Sequence, residues 1–405
     1  PRVGELGNRR PGRGRPGGEW ADRGVRADRC AGVRQIRSVR VTTVRNPGET
    51  VLVQLRPAPN DCVVPVLTDC QVRRWRANSQ LLGEVGRQKR TAVETVGRLV
   101  GVQSQDRTDA ALSIRARSNV AHLQDVADER ANGNLVLTWT MRSTLHLHCA
   151  DDLPLLLSVF GPARRKFGAR DRQLGIDAHN TARAEDLLCE ALSTGPKSRA
   201  QLKDVLAGCA ETSDPQVPIH FIARAAAAGI LAPVLDEGVE KFGALDPFEP
   251  VDFLASLADI AARYVRAFGP VSEADFRCWS GLPAAATKRA WEFISEDFEW
   301  VEFNSSTMLV DPGTSVDATG VRFVGGFDLI TLAYRNRDAQ LGPAHTKEVN
   351  AGGGLVRPAI IADGRIVGLW SYRKSDSPRV QWRLFEAAPA AAFAQEASEV
   401  EAFLA

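Results

Sequence analysis

Thr91 to Asp106 reads TAVETVGRLVGVQSQD and Leu135 to Cys149 reads LVLTWTMRSTLHLHC, and these two runs decide the fold. The first opens with Thr91-x-x-Glu94, a capping box in which each side chain satisfies a free backbone donor at a helix start. Val93, Val96, Leu99 and Val100 recur at helical spacing and predict one buried face. Gln103 and Gln105 follow at the C-terminal end of this helix, one residue apart, with Asp106 directly after them. Two neutral amides at the mouth of a helix can hold a water or line a cleft. Glutamine does not titrate, so the pair is no general base of the usual kind, and a merely structural or solvated role is the simpler reading of it alone. The second run alternates apolar and polar residues, which predicts two strands with Arg142 and Ser143 near their turn. With helices expected over 108–117 and 122–132 between the two runs, the order is helices followed by a hairpin, a winged-helix unit.

The 405 residues exceed one small core and suggest two to four domains. A hydrophobic content of 44% with 25% charged residues is ordinary for a soluble globular protein. Charge is unevenly spread. Residues 1–65 carry 13 Arg, no Lys and 6 acids, a balance of +7, which turns the formal +2 of the chain into −5 over residues 66–405. A nucleic-acid binder with an acidic body must gather its cations on one face, because phosphate contact dominates affinity. The seven cysteines show no C-x-x-C spacing and their number is odd, so reduced thiols are expected, with neither a zinc site nor a disulfide framework. No apolar run reaches membrane-spanning length and no secretory leader is evident, so export is not expected and a cytoplasmic protein is.

Residues 1–65 are rich in Arg, Gly and Pro, begin with Pro and hold one strand-like run over 50–55. A disordered basic extension is expected there, either a tail that helps hold DNA or a stretch upstream of the true start. From Thr68 a helix is expected, with Arg73, Arg74 and Arg76 either meeting phosphates or forming a solvated face. It completes a first winged-helix unit, residues 66–160. A second, 161–248, contains a helix from Thr181, the capping box Ser198-x-x-Gln201, a strong helix ending at Gly229 and a wing near 239–245. His220 and Arg224 stand one turn apart there and either face a groove together or edge the core. A third, 249–315, has the clearest helix-turn-helix: one helix over 251–268, a break at Gly269-Pro270, a cap at Ser272-x-x-Asp275, and a turn at Ser280-Gly281-Leu282-Pro283. Thr287, Lys288 and Arg289 fall on its last helix. Beyond 316 the period becomes that of strands, with a hairpin expected at Asp363-Gly364 and a closing helix from about Ala388. The expected class from these patterns is mainly α with β: three tandem winged-helix units followed by a C-terminal domain of strands, residues 316–405.

The order QSQD, TWTMRSTLHL, then the DDLP helix start at Asp151 to Pro154 resembles the winged-helix DNA glycosylases of the AlkZ and YcaQ type. That family carries a Gln-x-Gln or Gln-x-Asp pair, with an aliphatic or small apolar residue where Ser104 stands here. The run FDLITLAYRNR, from Phe327 to Arg337, and the stretch from Asn350 to Trp370 resemble further motifs of the same family, so the likeness covers residues 66–386 and implies that the C-terminal domain, residues 316–405, is β-barrel-like. It implies hydrolysis of the N-glycosidic bond of alkylated bases, including bulky adducts and interstrand crosslinks, by a monomer acting on double-stranded DNA without a cofactor.

Under that resemblance Gln103 and Gln105 become the expected catalytic pair. Arg142, Thr144, His146, Arg224, Lys288, Arg289, Arg335 and Arg337 are the expected DNA contacts, and Asp328 and Tyr334 are expected near the cleft. His146-x-His148 invites a metal reading, yet no nearby Cys, Asp or Glu completes a ligand set, so no metal is expected. Trp139, Trp279, Trp291 and Trp370 are expected in the core rather than as stacking platforms for bases. Gly352-Gly353-Gly354 precedes a strand and fails the test for a dinucleotide loop. The competing reading is a non-catalytic DNA-binding protein or transcription regulator built from the same parts. It would ordinarily dimerise, and the sequence offers no long dimer helix.

Overall fold

The computed structural model describes residues 38–39, 55–56, 64–83, 90–120, 122–210, 214–314, 320–373 and 375–405. Contacts divide the chain into Pro1–Cys62 and Val63–Ala405. In the first unit two short strands, β1 (Ser38–Val39) and β2 (Leu55–Arg56), pair antiparallel. The disorder expected over 1–65 otherwise concerns residues outside those described.

The second unit begins with α1 (Asp69–Ser79), started by a reciprocal box between Thr68 and Gln71. Then come α2 (Ala92–Arg98), β3 (Val102–Gln103), α3 (Arg107–Arg115), α4 (Leu123–Ala131), β4 (Leu135–Trp139) and β5 (Leu145–Cys149). Thr91 and Glu94 form the expected box on α2, and Val96, Leu99 and Val100 are buried while Val93 is half-buried. The chain leaves α2 through Val100, at φ 63°, and turns into β3, so the glutamines lie on and just past a strand and not at a helix mouth.

A second helical group holds α5 (Leu153–Arg165), α6 (Ala169–Gln173), α7 (Ala178–Leu192), α8 (Arg199–Val205) and α9 (Val217–Ala227), ending in the ribbon β6 (Leu231–Asp236) and β7 (Val239–Ala244). A third holds α10 (Phe253–Phe268), α11 (Glu273–Ser280) and α12 (Ala284–Ile294), ending in β8 (Glu299–Phe303) and β9 (Ser306–Val310). Ser198 with Gln201 and Ser272 with Asp275 make the expected boxes on α8 and α11.

One backbone detail recurs in all three groups. The residue leading into a middle helix pairs antiparallel with the second strand of the ribbon that follows: Gln103 with His146, Lys197 with Phe242, and Val271 with Leu309. The same chain path is therefore folded three times in succession.

The remaining elements are β10 (Val321–Val324), α13 (Leu329–Leu332), α14 (Thr346–Val349), β11 (Asn350–Gly352), β12 (Leu355–Val356), β13 (Ala359–Ala362), β14 (Arg365–Tyr372), β15 (Val380–Leu384) and α15 (Ala391–Phe403). Strands β10, β13, β14 and β15 form an antiparallel sheet in that order, and its edges do not meet. The expected barrel is thus an open sheet, and no closed barrel forms among the described residues. The reason lies in α15, which packs on β10 and β15 and covers the apolar face that closure would otherwise hide: Phe393 stacks on Trp382, and Phe323 meets both Trp370 and Trp382. Asp363 and Gly364 form the expected two-residue turn between β13 and β14, both left-handed at φ 49° and 74°.

The largest core cluster runs from Ala92 through Tyr264 and Trp279 to Trp370 and Leu404, so it joins the first and third helical groups to the C-terminal sheet. Leu156, Val159 and Phe160 of α5 belong to that cluster too, while the rest of the second group keeps a core of its own, from Leu174 to Leu231, with Trp139 packed against it. Trp279, Trp291 and Trp370 are buried, as expected. Among the described residues no helix is long and apolar enough to cross a membrane.

Candidate active site around Gln103 and Gln105

Strand β5 lies between β3 and β4, with His146 opposite both Gln103 and Thr138. Residues directly opposite in an antiparallel ladder share a face, so Gln103, His146 and Thr138 form one row across the sheet. Ser104 continues the ladder, its N–H donating to Leu145 O at 2.9 Å, and its own side chain is buried. Gln105 lies past the strand end and is exposed, whereas Gln103 is 8% exposed. The two amides meet: Gln103 Nε2 donates to Gln105 Oε1 at 2.8 Å.

Asp106 caps α3 by accepting from Asp109 N–H at 2.9 Å. Arg107 donates to the Ser104 carbonyl and forms two bonds, 2.7 and 2.9 Å, with Glu240 on β7; Arg130 reaches the same carboxylate at 3.0 Å. Burial alone would raise the Glu240 pKa, but its hydrogen bonds and charge contacts with Arg107 and Arg130 outweigh this and hold it below the ordinary carboxylate value. The backbone between the glutamines is therefore braced by the ribbon of the second helical group. Sequence reading missed Arg107 and Glu240, because nothing in the chain pairs position 107 with position 240.

Arg142 sits at the β4–β5 turn in left-handed backbone, φ 51°. Its Nη2 approaches Gln103 Oε1 at 3.5 Å and its Nη1 donates to Trp279 O at 2.6 Å. Gly281 ends α11 at φ 72°, and a Cβ there would lie 3.0 to 3.2 Å from Arg142 atoms. The turn between α11 and α12 thus presses on Arg142 from the third helical group. Arg142 also lies within electrostatic reach of Arg337, and both lie within reach of Cys278.

His146 is 1% exposed, and its Nδ1 faces Thr144 O at 2.9 Å. A carbonyl only accepts, so Nδ1 carries the hydrogen. Burial, then the neighbouring His148, hold its pKa well below the ordinary imidazole value, which keeps the ring neutral with its lone pair on Nε2. The expected contact of His146 with a phosphate fails, because the ring is sealed in the sheet. Thr144 is half-buried, and its hydroxyl donates to Met141 O within its own turn at 3.1 Å. His148 is occupied at both nitrogens, by Val100 O at 2.9 Å and Thr140 Oγ1 at 2.8 Å, leaving no lone pair for a metal. Among the described residues no group of three or more His, Cys, Asp or Glu side chains is arranged to hold a metal ion.

Other expected contacts scatter. Arg224 is 2% exposed: it donates to Arg165 O, stacks 4.1 Å over Phe167 and lies 3.7 Å from Asp171, so it belongs to the packing of α5, α6 and α9 and not to a DNA groove. His220 lies 3.5 Å from the same carboxylate, at the core edge. Asp328 and Tyr334 are core residues too. Asp328 takes both prongs of Arg117 at 2.6 and 2.7 Å and the Ser113 hydroxyl at 2.6 Å. Tyr334 lies under the Arg76 guanidinium at 4.0 Å, which removes Arg76 from any phosphate; Arg74 pairs with Asp363. Thr287 is buried, whereas Lys288 and Arg289 are exposed on α12, Lys288 3.9 Å from Glu292.

Arg335 and Arg337 do converge. They line a cavity of about 630 Å³ with Arg76, Asp275, Asn304 and Asn350. Arg337 Nη1 donates to Asn350 Oδ1 at 3.2 Å. The cavity does not include the glutamines, and Arg337 connects it electrostatically to Arg142.

Comparison with known proteins shows the family. A family model described as DNA glycosylase AlkZ-like matches residues 96–403. An interstrand DNA cross-link repair glycosylase of Streptomyces sahachiroi is 27% identical over 361 residues, covering 82% of this chain and 95% of that protein. The solved structure of the Streptomyces sahachiroi DNA glycosylase AlkZ superposes with a TM-score of 0.71 at 22% identity, over 83% of this chain and 96% of that one, so the fold is shared. With Gln103, Gln105 and the β4–β5 ribbon all inside the matched span, the chain belongs to the AlkZ-like family of DNA glycosylases, hydrolases acting on N-glycosyl bonds.

Proposed function

We propose that this protein is a monomeric DNA repair glycosylase that removes purines alkylated at N7, bulky adducts and interstrand crosslinks included, from double-stranded DNA at the nucleoid. The observation that carries the reading is the Gln103–Gln105 pair itself: two hydrogen-bonded amides, one fixed in a strand and one open to solvent, beside the cationic Arg142.

An N7-alkylated purine already bears a positive charge, so it departs with the bonding electrons as a neutral base and needs no strong general acid. What the site must supply is a placed water and partial negative charge near C1′ as the sugar gains oxocarbenium character. The Gln103 carbonyl accepts a hydrogen bond from that water. Water oxygen bonds to C1′, the glycosidic bond breaks, and the surplus proton of the water passes to solvent, since an amide does not retain it. The exposed Gln105 amide donates to a sugar or phosphate oxygen.

Three helical groups that each close with a strand ribbon support a reading as winged-helix units, over 66–160, 161–248 and 249–315, ahead of the β domain at 316–405. Lys288, Arg289, Arg335 and Arg337 are the cations assigned to phosphates: Lys288 and Arg289 are exposed on α12, with Glu292 3.9 Å from Lys288, and Arg335 and Arg337 line one cavity. A regulator made of the same parts is the other reading, and the test separates them. Incubation with duplex containing N7-methylguanine should give free base and abasic sites, and Gln103→Ala with Gln105→Ala should abolish release while leaving DNA binding nearly intact. Binding without any abasic product would leave only a DNA-binding protein.

A further inference from the structure

We infer that Arg142 is a positioning residue that sets the polarity of the glutamine pair, so that Gln103 presents its oxygen and Gln105 its NH2 to the substrate. Arginine has donors and no acceptor. With Nη2 directed at Gln103 at 3.5 Å, the end of that amide facing Arg142 must be the oxygen. The NH2 of Gln103 then faces Gln105, where only the oxygen can receive it, and that contact is 2.8 Å. Hydrogen bonds therefore run one way, from Arg142 to Gln103 to Gln105.

Two linked amides without a charged neighbour have no such direction. Reversing both leaves the bond between them intact and exchanges acceptor for donor at the sugar. Arg142 removes that degeneracy, and its cation also polarises the Gln103 carbonyl, which keeps a second lone pair for a water. The guanidinium is itself fixed by the Trp279 carbonyl at 2.6 Å, and the close approach of Gly281 bears on the backbone and Cγ from which it extends. The turn between α11 and α12 thus holds the residue that orients the pair.

The polarity can be read without activity. In the full chain with assigned side-chain amides, Gln103 NH2 should exchange with solvent at least about tenfold more slowly than Gln105 NH2, as a bonded donor does beside a free one. Arg142→Met should erase that difference and Arg142→Lys, still a donor-only cation, should preserve it. An unchanged pattern in Arg142→Met overturns the inference.

The rate readout rests on the proposed glycosylase reading. In single-turnover release of N7-methylguanine, Arg142→Met should slow the reaction at least about tenfold when Gln103 is present and less than about twofold in Gln103→Ala, the signature of two residues acting as one unit. Affinity for undamaged duplex and its salt dependence should not move. Equal slowing in both backgrounds, with the salt slope reduced by about one, would make Arg142 a phosphate contact and overturn the inference. An inactive wild type would count against the glycosylase reading, while the amide pattern would still decide the polarity.

Discussion

Mild acid should weaken this protein before its carboxylates titrate, and His148 supplies the reason. Its imidazole is fully buried, with Nδ1–H donating to Val100 O and Nε2 accepting from the Thr140 hydroxyl. Charging the ring would place a hydrogen where Thr140 now donates and would put a cation where water cannot reach it. Burial accordingly brings the pKa from 6.5 down to about 4, against smaller raising effects from Val100 and Asp152. Above pH 6.5 the ring is neutral in the folded and unfolded chain alike and has no effect on stability. Below it the unfolded chain takes up a proton that the folded chain refuses, so stability falls with pH until about pH 4 is reached. At about 1.4 kcal/mol per pH unit, roughly 2 kcal/mol is lost by pH 5 and about 3 kcal/mol over the whole window. His146 acts in the same direction. Urea midpoints of the wild type and of His148→Gln, taken from pH 7.5 to 5, report the His148 share together with its smaller effect on the neighbouring His146. The advantage of the wild type should shrink by about 2 kcal/mol between pH 7 and pH 5. Parallel curves, or a His148 ring resonance that titrates near 6.5, would refute the reasoning.

Two further outcomes follow from the packing. Asp328→Asn leaves the Arg117 guanidinium buried without a countercharge and should destabilise the fold by about 3 to 5 kcal/mol in chemical denaturation; a loss below about 1 kcal/mol would mean the pair is dispensable. Gly281→Ala and Gly238→Ala both force a side chain into left-handed backbone, at φ 72° and 75°, and should lose similar stability, about 1 to 2 kcal/mol each. Only Gly281 has Arg142 within contact of the new Cβ, and Gly238 has nothing within 4 Å. Base release should therefore slow in Gly281→Ala alone, and equal rates in the two variants would count against the contact.

Much of the fold is legible in the chain, for local reasons. Thr91 with Glu94, Ser198 with Gln201 and Ser272 with Asp275 mark helix starts because the partners in each box are three residues apart. The Asp363-Gly364 turn is legible for the same reason. Failures begin where partners are distant. Arg76, Arg224 and His146 read as groups that could meet DNA and Asp328 as a cleft residue, yet each is consumed by a partner that periodicity does not reveal: Tyr334, Asp171, the sheet and Arg117 in turn. The barrel expected of the C-terminal strands comes from the resemblance, and α15, which covers them, carries too weak an apolar stripe to announce where it docks. Of the candidate site, the glutamine pair and Arg142 were visible as residue types. The link of Arg142 to Trp279 and the brace from Glu240 arise only when three copies of one chain path are set side by side.

The helix that follows the glutamines ends at Arg115, and Arg117 comes two residues later. Both guanidiniums are almost wholly buried, and both are neutralised from the last third of the chain, Arg115 by Glu396 and Glu399 and Arg117 by Asp328. Severing the protein between these regions would strand two naked cations in its interior. The beads that a linear reading draws along residues 63–405 are mortised rather than strung, and the joint lies one helix beyond the paired amides.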